Sequence, residues 1–316
     1  MANTWTWEQV EQQFGMTKWG AEQKSTKQYA RETKKQKTTL QIHAGVPFLS
    51  FSIFEEEADW MGMAFSTKLG GISQGYLAEM NFGWNRGDDD ETVRENYRIM
   101  SKALQIAPER LVFSDQVHDT KVEVVTEKMA AGDKIEKHLA GVDGIITEEE
   151  ELVLATSYAD CVPLFFADPV HKVVASSHSG WRGTVGEIGA KTIKRMQQEF
   201  GSDPGDIRCL VGPSICQDCY EVSEEVAEAF RAVYEPSLWD EILAPGKMPG
   251  KYQLDLYAAC YETLKKAGAL PEHIQVSGVC TCCHSSILFS HRATAGKRGN
   301  LNGFIWKRAS QEVPES

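Results

Sequence analysis

Three short segments of the chain carry reactive side chains in an unusual local sequence. They are Asp115–His118, Ala159–Pro163 and Ser177–Gly183. Each lies at an end of a predicted strand, where a rigid sheet can aim a side chain into a pocket. Their donors include His118, Cys161 and His178. One sulfur and two nitrogens suit a catalytic Zn²⁺ site, in which three protein ligands leave one position for water or substrate.

The spacing alone leaves the role of these donors open. They are 43 and 17 residues apart in the chain and match no short metal motif. A strand–turn–strand path, with its turn at Asp168-Pro169, favours proximity of Cys161 and His178. In a metal-free alternative, Cys161 is the nucleophile of a hydrolase and His178 is its general base. Asp115 or Asp160 would then orient the imidazole.

The residues after His178 predict an anion-binding turn. Two glycines flank a Trp-Arg pair directly before a helix predicted over 184–200, and Thr184 with Glu187 forms a capping-box pattern. Backbone N–H groups at a helix N-terminus, with the guanidinium of Arg182 beside them, favour phosphate or carboxylate. The glycines match neither a P-loop nor a dinucleotide fingerprint. The alternative is a tight turn in which Arg182 pairs with a surface acid.

Two cysteine pairs have the spacing of a structural zinc site. They are Cys216-x-x-Cys219 and Cys280-x-x-Cys283, with Cys282 and His284 as spare ligands. The gap between the pairs, about 60 residues, is longer than usual for such sites. Packing thiols are therefore the default interpretation, and a second metal site is the alternative. Cys209 and Cys260 fall inside a predicted strand and a predicted helix, so we expect them in the core.

Composition narrows the class of protein. The 316 residues include 45 acidic and 33 basic side chains, and the net charge of -12 argues against a nucleic-acid partner. No apolar run reaches the ~18 residues of a membrane span, and we see no signal-peptide core. We therefore expect a cytoplasmic globular protein without a membrane partner, whose eight cysteines serve thiol chemistry or metal binding rather than disulfides.

Short strands alternating with helices predict an α/β (α+β) fold. Strands are predicted over 48–54, 62–66, 121–125, 152–157, 162–166, 173–177, 207–211 and 275–279, and helices over 91–103, 184–200, 223–234 and 254–267. Residues 46–310 form one predicted catalytic domain, since no linker divides them. Residues 1–45 are a predicted extension, with a short helix at Trp7, Val10 and Phe14 and a basic stretch over 22–37. Residues 311–316 form a C-terminal tail.

Several segments together resemble the laccase-domain, or multicopper polyphenol oxidase-like, family of bacterial proteins, which are described as purine nucleoside phosphorylases. The resemblance covers roughly 46–307. It rests on Asp115–His118, Val142–Thr147, Ala155–Pro163, His178–Gly183, Gly212–Val222 and Phe289–Leu301, in the same order. It implies mixed β-sheets packed with helices in a layered sandwich, in a monomer or small homo-oligomer.

The resemblance also implies an activity. His118, Cys161 and His178 would bind zinc, or copper in some members. The substrates would be phosphate and a purine nucleoside: adenosine, inosine or guanosine. Adenosine deamination and methylthioadenosine cleavage are further family activities. A copper-dependent phenol oxidase is a disfavoured alternative, because coupled multicopper chemistry needs many more histidines than the eight in this chain.

The remaining candidates would bind substrate or assist catalysis. The cationic ones are Lys68, Arg182 and Arg292; Asn81 and His291 are candidates for sugar or base contacts. Lys68 stands where an Arg is typical of the family, so the positive charge is kept but the bidentate fork is lost. Asp160, adjacent to Cys161, would orient a ligand or accept a proton. Capping a turn is its alternative role.

Overall fold

The computed structural model describes residues 4–14, 27, 36–136 and 139–310. Strands occupy β1 Thr38–His43, β2 Val46–Phe51, β3 Met61–Ser66, β4 Leu111–Asp115, β5 Val122–Val124, β6 Leu139–Ala140, β7 Gly144–Thr147, β8 Val153–Tyr158, β9 Val162–Asp168, β10 Val173–Ser179, β11 Arg208–Val211, β12 Glu221–Ser223, β13 Leu243–Pro245, β14 Lys251–Leu254, β15 Ile274–Val276 and β16 Leu301–Lys307. The α-helices are α1 Trp7–Phe14, α2 Asp90–Leu104, α3 Trp181–Val185, α4 Ile188–Phe200, α5 Glu224–Arg231, α6 Trp239–Ile242 and α7 Leu256–Lys266.

Two large sheets form the centre of the molecule. One has seven strands in the order β1-β2-β3-β16-β8-β4-β6, and the other has six in the order β15-β11-β9-β10-β7-β5. A third sheet, β12-β14-β13, has three strands. Both large sheets mix parallel and antiparallel pairs. The prediction of an α/β fold with mixed sheets is confirmed.

The core consists of three apolar clusters, which hold the sheets and helices together in layers. Phe165 and Ile305 belong to the cluster between the two large sheets. Leu164 packs with Ile193 of α4 on the outer face of the six-stranded sheet, and Tyr97 of α2 covers the seven-stranded sheet. Alternate residues of β9 therefore face different layers, and all seven of its residues are buried. A strand that is apolar on both faces is what a sheet buried on both sides requires.

The β9–β10 hairpin fixes the relative positions of the start of β9 and the end of β10. Its antiparallel register pairs Pro163 with His178 and Asp168 with Val173. The Asp168 carboxylate accepts hydrogen bonds from the backbone N–H groups of Val170 and His171, which fixes the turn. The predicted strand–turn–strand path is confirmed. It pairs Val162 and Pro163, which follow Cys161, with Ser179 and His178.

The predicted helix over 184–200 begins earlier and is interrupted. Helix α3 starts at Trp181 and ends before Gly186, and α4 starts only at Ile188. Glu187 adopts a left-handed conformation with φ 56° and makes no capping hydrogen bond, so the capping-box prediction is wrong. Thr184 lies inside α3, where its hydroxyl donates to the Gly180 carbonyl. The apolar side chains of this helical segment still face the core, with Ile188, Ile193 and Met196 buried and Val185 and Phe200 partly buried.

The N-terminal part contributes to the sandwich. Helix α1 matches the predicted helix, and Val10 is buried in the core. Strand β1 adds to the seven-stranded sheet from Thr38 onward, eight residues before the predicted start of the domain. The predicted basic stretch over 22–37 and the tail over 311–316 lie largely or wholly outside the described residues. Among the helices described, none is long and apolar enough to cross a membrane.

Candidate metal-binding active site

Three strand ends bring His118, Cys161 and His178 together. His118 follows β4, Cys161 occupies the turn between β8 and β9, and His178 lies near the end of β10. Their donor atoms all lie within 4.8 Å of one another. The Cys161 Sγ is 3.9 Å from the His118 Nε2, and the two imidazoles stand nearly perpendicular, with ring centroids 4.8 Å apart. The geometry matches a three-donor metal centre.

Asp143 fixes both imidazole-bearing segments. Its carboxylate accepts the backbone N–H groups of Val117, His118 and Asp119 at 3.0–3.1 Å. It also lies 2.9 Å from the His178 Nδ1. Burial alone would raise the pKa of Asp143, but these hydrogen bonds lower it overall. The ionised carboxylate therefore holds a proton on the His178 Nδ1 and leaves its Nε2 for the cluster.

The Cys161 thiol is poised as a thiolate. Burial would raise its pKa, but the nearby His178 and His118 lower the pKa to about 6. For His178, burial would lower the pKa, while Cys161 and Asp143 raise it to about 9. A thiolate is the form that binds metal or attacks an electrophile, so this electrostatic environment suits both the metal and the metal-free interpretations.

Backbone conformation at the site is unusual. His118 has φ 64° and Asp160 has φ 84°, both in the left-handed region that non-glycine residues rarely adopt. Gly180 closes the cluster from the third side. A Cβ at this position would lie 2.9 Å from the His118 Cδ2 and 3.2 Å from the Cys161 Sγ. Only glycine leaves room for the close approach of these donors.

Asp160 holds the turn that carries Cys161. One carboxylate oxygen accepts the Thr281 hydroxyl at 2.6 Å, and the other accepts the Arg292 backbone N–H at 2.6 Å. Its carbonyl accepts the Ile215 N–H at 3.1 Å and the Ser214 hydroxyl at 2.7 Å. Asp160 thus joins two distant loops to the cysteine turn.

The cluster lies at the wall of a cleft of about 300 Å³. The cleft is lined by Trp84, Asn85, Arg86, Asp115, Gln116, His118, Ser157, Tyr158, Ala159, Cys161, His178, Arg298 and Asn300. Arg298 is partly buried, and its Nε is a buried donor without a hydrogen-bond partner in the structure. Burial and the nearby Arg86 lower the pKa of Arg298 to about 10, so its guanidinium still carries a positive charge at neutral pH.

Residues 62–308 match the family described as multi-copper polyphenol oxidoreductase laccase. The chain belongs to this family. It is 38% identical over 243 residues to the purine nucleoside phosphorylase YlmD of Bacillus subtilis, covering 76% of this chain and 86% of that protein. It is 34% identical over 248 residues to the adenosine deaminase RL5 of an unknown prokaryotic organism, covering 78% and 94%. The crystal structure of YlmD from Geobacillus stearothermophilus superposes with a TM-score of 0.78 at 33% identity, covering 85% of this chain and 99% of that chain.

Two predicted substrate residues of this laccase-domain chain are occupied by contacts within the protein. The Lys68 Nζ donates to the Ser285 carbonyl at 2.7 Å, and burial lowers the pKa of this lysine. Asn81 is buried, and its side-chain Oδ1 accepts the backbone N–H groups of Gly83 and Asn300. Neither residue belongs to the lining of the cleft. Asn81 acts on the cleft through Asn300, whose backbone it fixes.

The cleft lining also lacks the predicted residues Asp160, Arg182, His291 and Arg292. The Arg292 guanidinium donates to the carbonyls of Cys219 and Glu221. Arg182 is exposed and stacks over Trp181 at 4.3 Å. Partial burial and the nearby Arg298 lower the pKa of His291. The anion-binding turn was predicted over His178–Thr184 before a helix starting at Thr184, whereas helix α3 already begins within that turn, at Trp181.

Sequence reasoning missed three residues of the site. The acid bonded to His178 is Asp143, whereas the carboxylate of Asp160, proposed for that role, holds Thr281 and a backbone amide. Asp143 had a recognisable signal, since it is a single acid at the start of an apolar strand. Arg86 and Arg298 had none, because only the fold brings these distant residues to one cleft.

Proposed function

We propose that the chain is a zinc-dependent purine nucleoside phosphorylase. Phosphate would cleave the N-glycosidic bond of adenosine, inosine or guanosine and give the free base and ribose 1-phosphate. One observation carries the proposal: a three-donor cluster opens into a cleft whose lining also contains Arg86 and Arg298. Such a cleft offers a metal position and an anion position side by side. The names of the relatives support the same reaction class.

The donor set fits Zn²⁺. One thiolate and two imidazoles are borderline-soft ligands within reach of a single ion, and three protein ligands characterise catalytic rather than structural zinc. Asp143 supplies the carboxylate that metal-binding histidines usually have behind them. When bound, Zn²⁺ would act as a Lewis acid towards a substrate group at the open position.

The phosphate position is assigned to the arginine side of the cleft. The Arg298 Nη1 donates to the Gly299 carbonyl and to the Asn300 side chain, but its Nε is buried without a partner, and an unpaired buried donor is costly unless a ligand satisfies it. A guanidinium binds phosphate oxygens through paired N–H groups. Arg86 adds a second positive charge close enough to lower the pKa of Arg298. These two residues replace Lys68, Arg182 and Arg292 as the proposed phosphate ligands.

The chain would promote phosphorolysis chiefly by positioning. The arginines hold phosphate so that one of its oxygens forms the new bond to C1′ of the ribose. The bond from C1′ to the purine nitrogen breaks, and the base leaves with the electron pair and takes up a proton. Asp143 keeps the His178 proton at Nδ1, so the other ring nitrogen, Nε2, stays directed at the cluster. Fixed orientation of this kind lowers the entropic part of the barrier.

Adenosine deamination is a second candidate activity at the same site. It is favoured by the likeness to the adenosine deaminase RL5 and by the open position of a three-ligand centre. This reaction releases ammonia and needs water instead of phosphate. Methylthioadenosine cleavage would follow the phosphorylase course. We also propose a cytoplasmic location, which the eight free cysteines support, since thiols persist in a reducing compartment.

The test measures free base, ribose 1-phosphate and ammonia from each nucleoside, with and without phosphate. We expect phosphate-dependent base release that His178→Ala abolishes. The matched control is His171→Ala, because His171 makes the same Nδ1–carboxylate contact with Asp168 at the far end of the hairpin. Base release that ignores phosphate would overturn the phosphorylase proposal.

Removal of metal separates the remaining alternatives. Chelated protein should lose activity and regain it with Zn²⁺. Recovery with Cu²⁺ alone would assign copper instead. Full activity of thoroughly metal-free protein would favour the Cys161–His178 hydrolase, whose reactive thiolate needs no metal.

A further inference from the structure

Four cysteines outside the cleft form a second cluster, which we name the four-cysteine cluster. They are Cys216, Cys219, Cys280 and Cys283. Cys216 and Cys219 lie in the loop between β11 and β12, and Cys280 and Cys283 lie in the loop after β15. Their four sulfur atoms all lie within 4.8 Å of one another. The fold has therefore closed the long gap in sequence that argued against a shared site.

The sulfur–sulfur distances distinguish a metal site from disulfides. The Cys283 Sγ is 3.5 Å from that of Cys219 and 3.9 Å from that of Cys216. A disulfide needs about 2.05 Å. Tetrahedral zinc with Zn–S bonds of about 2.3 Å separates its sulfurs by ~3.8 Å. The observed spacing agrees with the second arrangement.

Backbone hydrogen bonds in the cluster are directed at sulfur. The N–H groups of Cys216 and Cys283 point at the Cys280 Sγ, at 3.2 and 3.3 Å. Hydrogen bonds of this kind favour the charged form of an acceptor. The Cys219 N–H closes a turn on the Cys216 carbonyl at 3.1 Å. Each Cys-x-x-Cys segment therefore presents two sulfurs on the same side.

Core packing does not account for this arrangement. Cys209 and Cys260 show what packing thiols look like in this chain, since each is buried within the apolar core. In the cluster, by contrast, Cys283 is exposed, and Cys216 and Cys219 are only partly buried. Cys280 is buried, but the other three thiols lie at a partly wet surface where they bury little apolar area, so the hydrophobic effect gives little reason to gather the four.

The neighbouring candidates do not enter the ligand set. His284 directs its Nδ1 to the Cys280 carbonyl at 2.8 Å, and among the described residues the group of mutually close donor atoms does not include Cys282. The donors are thus four sulfurs. We propose that the four-cysteine cluster binds a structural Zn²⁺ in a closed tetrahedral site. Each thiol that binds releases its proton to solvent.

The proposed ion would clamp the two loops that hold the cysteine turn of the cleft. Ile215, next to Cys216, donates to the Asp160 carbonyl, and Thr281, next to Cys280, donates to its carboxylate. A cross-link between these loops would restrict Asp160, and with it Cys161. The second zinc would therefore act on the cleft through positioning, without contact with substrate.

The first experiment leaves all eight cysteines intact. Full-length protein carrying His118→Ala and His178→Ala keeps only one donor in the cleft. We expect this variant to retain one Zn²⁺ per chain by elemental analysis, with four sulfur neighbours at about 2.3 Å in its X-ray absorption spectrum. Loss of all zinc from a folded variant, or a spectrum dominated by nitrogen and oxygen, would overturn the proposal.

The second experiment removes the cluster. Cys219→Ser with Cys283→Ser should lose one Zn²⁺ per chain relative to the wild type and should melt at a lower temperature. Cys282→Ser is the matched control, since it changes a thiol of the same loop outside the cluster and should keep the wild-type metal content. A double serine variant with unchanged zinc content would contradict the proposal. Neither experiment uses catalytic activity, so its outcome is independent of the proposed phosphorylase reaction.

Discussion

The two thiol-containing clusters differ in what they leave open. In the cleft, one cysteine and two histidines converge on a point that also borders a cavity of about 300 Å³. In the four-cysteine cluster, four sulfurs surround one point, and two backbone amides are directed at the Cys280 sulfur. Three donors beside a cavity leave room for a substrate, whereas four donors complete a tetrahedron.

The same difference extends to the backbone that supports each cluster. The donors of the cleft lie at three strand ends. His118 and Asp160, which precedes Cys161, have left-handed backbone conformations, and Gly180 leaves no room for a side chain beside the donors. The four cysteines come from two turns that each follow a strand of the six-stranded sheet. Strain of this kind persists where the surrounding structure enforces a particular geometry. We infer that the cleft is built for reactivity and the four-cysteine cluster for cross-linking.

Cys161→Ser should have the largest effect and would separate the two clusters directly. Loss of the thiolate removes a donor, and we expect kcat/KM to fall by about 10³-fold, because metal assistance contributes several kcal/mol to the barrier. Elemental analysis should show that the zinc of the four-cysteine cluster remains. Loss of both zinc ions with the fold intact would show that the clusters are not independent.

Gly180→Ala should reduce activity by about 100-fold, since a displacement of about 1 Å in a catalytic group has that order of effect. The added methyl would press on His118 and Cys161. The thermal midpoint should change little, and zinc binding at the four-cysteine cluster should not change. Gly205→Ala, at a distant loop, serves as the control. Wild-type kinetics in Gly180→Ala would mean that the cleft donors tolerate displacement.

Asp143→Asn should weaken metal binding in the cleft by about 10–100-fold, the usual effect of losing the partner of a metal-bound histidine. Asp168→Asn is the matched control, because Asp168 contacts His171 and two backbone amides in the same way at the far end of the hairpin. Zinc affinity measured by competition with a chelator distinguishes them. Equal affinity losses in both variants would assign Asp143 a purely structural role.

Cys260→Ala should have the smallest effect. This thiol is buried near the hydroxyls of Ser179 and Thr184, and burial raises its pKa to about 12. Its removal should lower the free energy of unfolding by about 1 kcal/mol, as for other small core truncations. Denaturant unfolding measures that change. A loss of zinc in this variant would show that the division between core and ligand cysteines is wrong.

Much of the fold follows from local sequence patterns. Three closely spaced, largely apolar runs predicted β8, β9 and β10 to within two residues, because a strand buried on both faces has to be apolar throughout. The helix predicted over 91–103 corresponds to α2 to within one residue at each end. The helix after Gly180 was harder to predict. It is interrupted at Glu187, which adopts a left-handed conformation, and the helix propensities of the surrounding residues do not indicate this break.

The site was predictable only in part. His118, Cys161 and His178 were selected because their side chains are chemically distinctive, and the fold does bring them together. Lys68 and Arg292 were chosen for their charge, but both donate to backbone carbonyls. Charge alone does not tell whether a cation faces a ligand or the chain itself.

The sequence by itself determined the class of fold, the candidate donors His118, Cys161 and His178, and the paired spacing of the four cysteines. These depend on side-chain chemistry and on periodicity along a few residues. Only the tertiary structure decided which acid supports His178, which arginines reach the cleft and whether Cys216 and Cys280 share a site. Those relations join residues far apart in the chain, and their distances follow from the packing of the two large sheets rather than from local spacing.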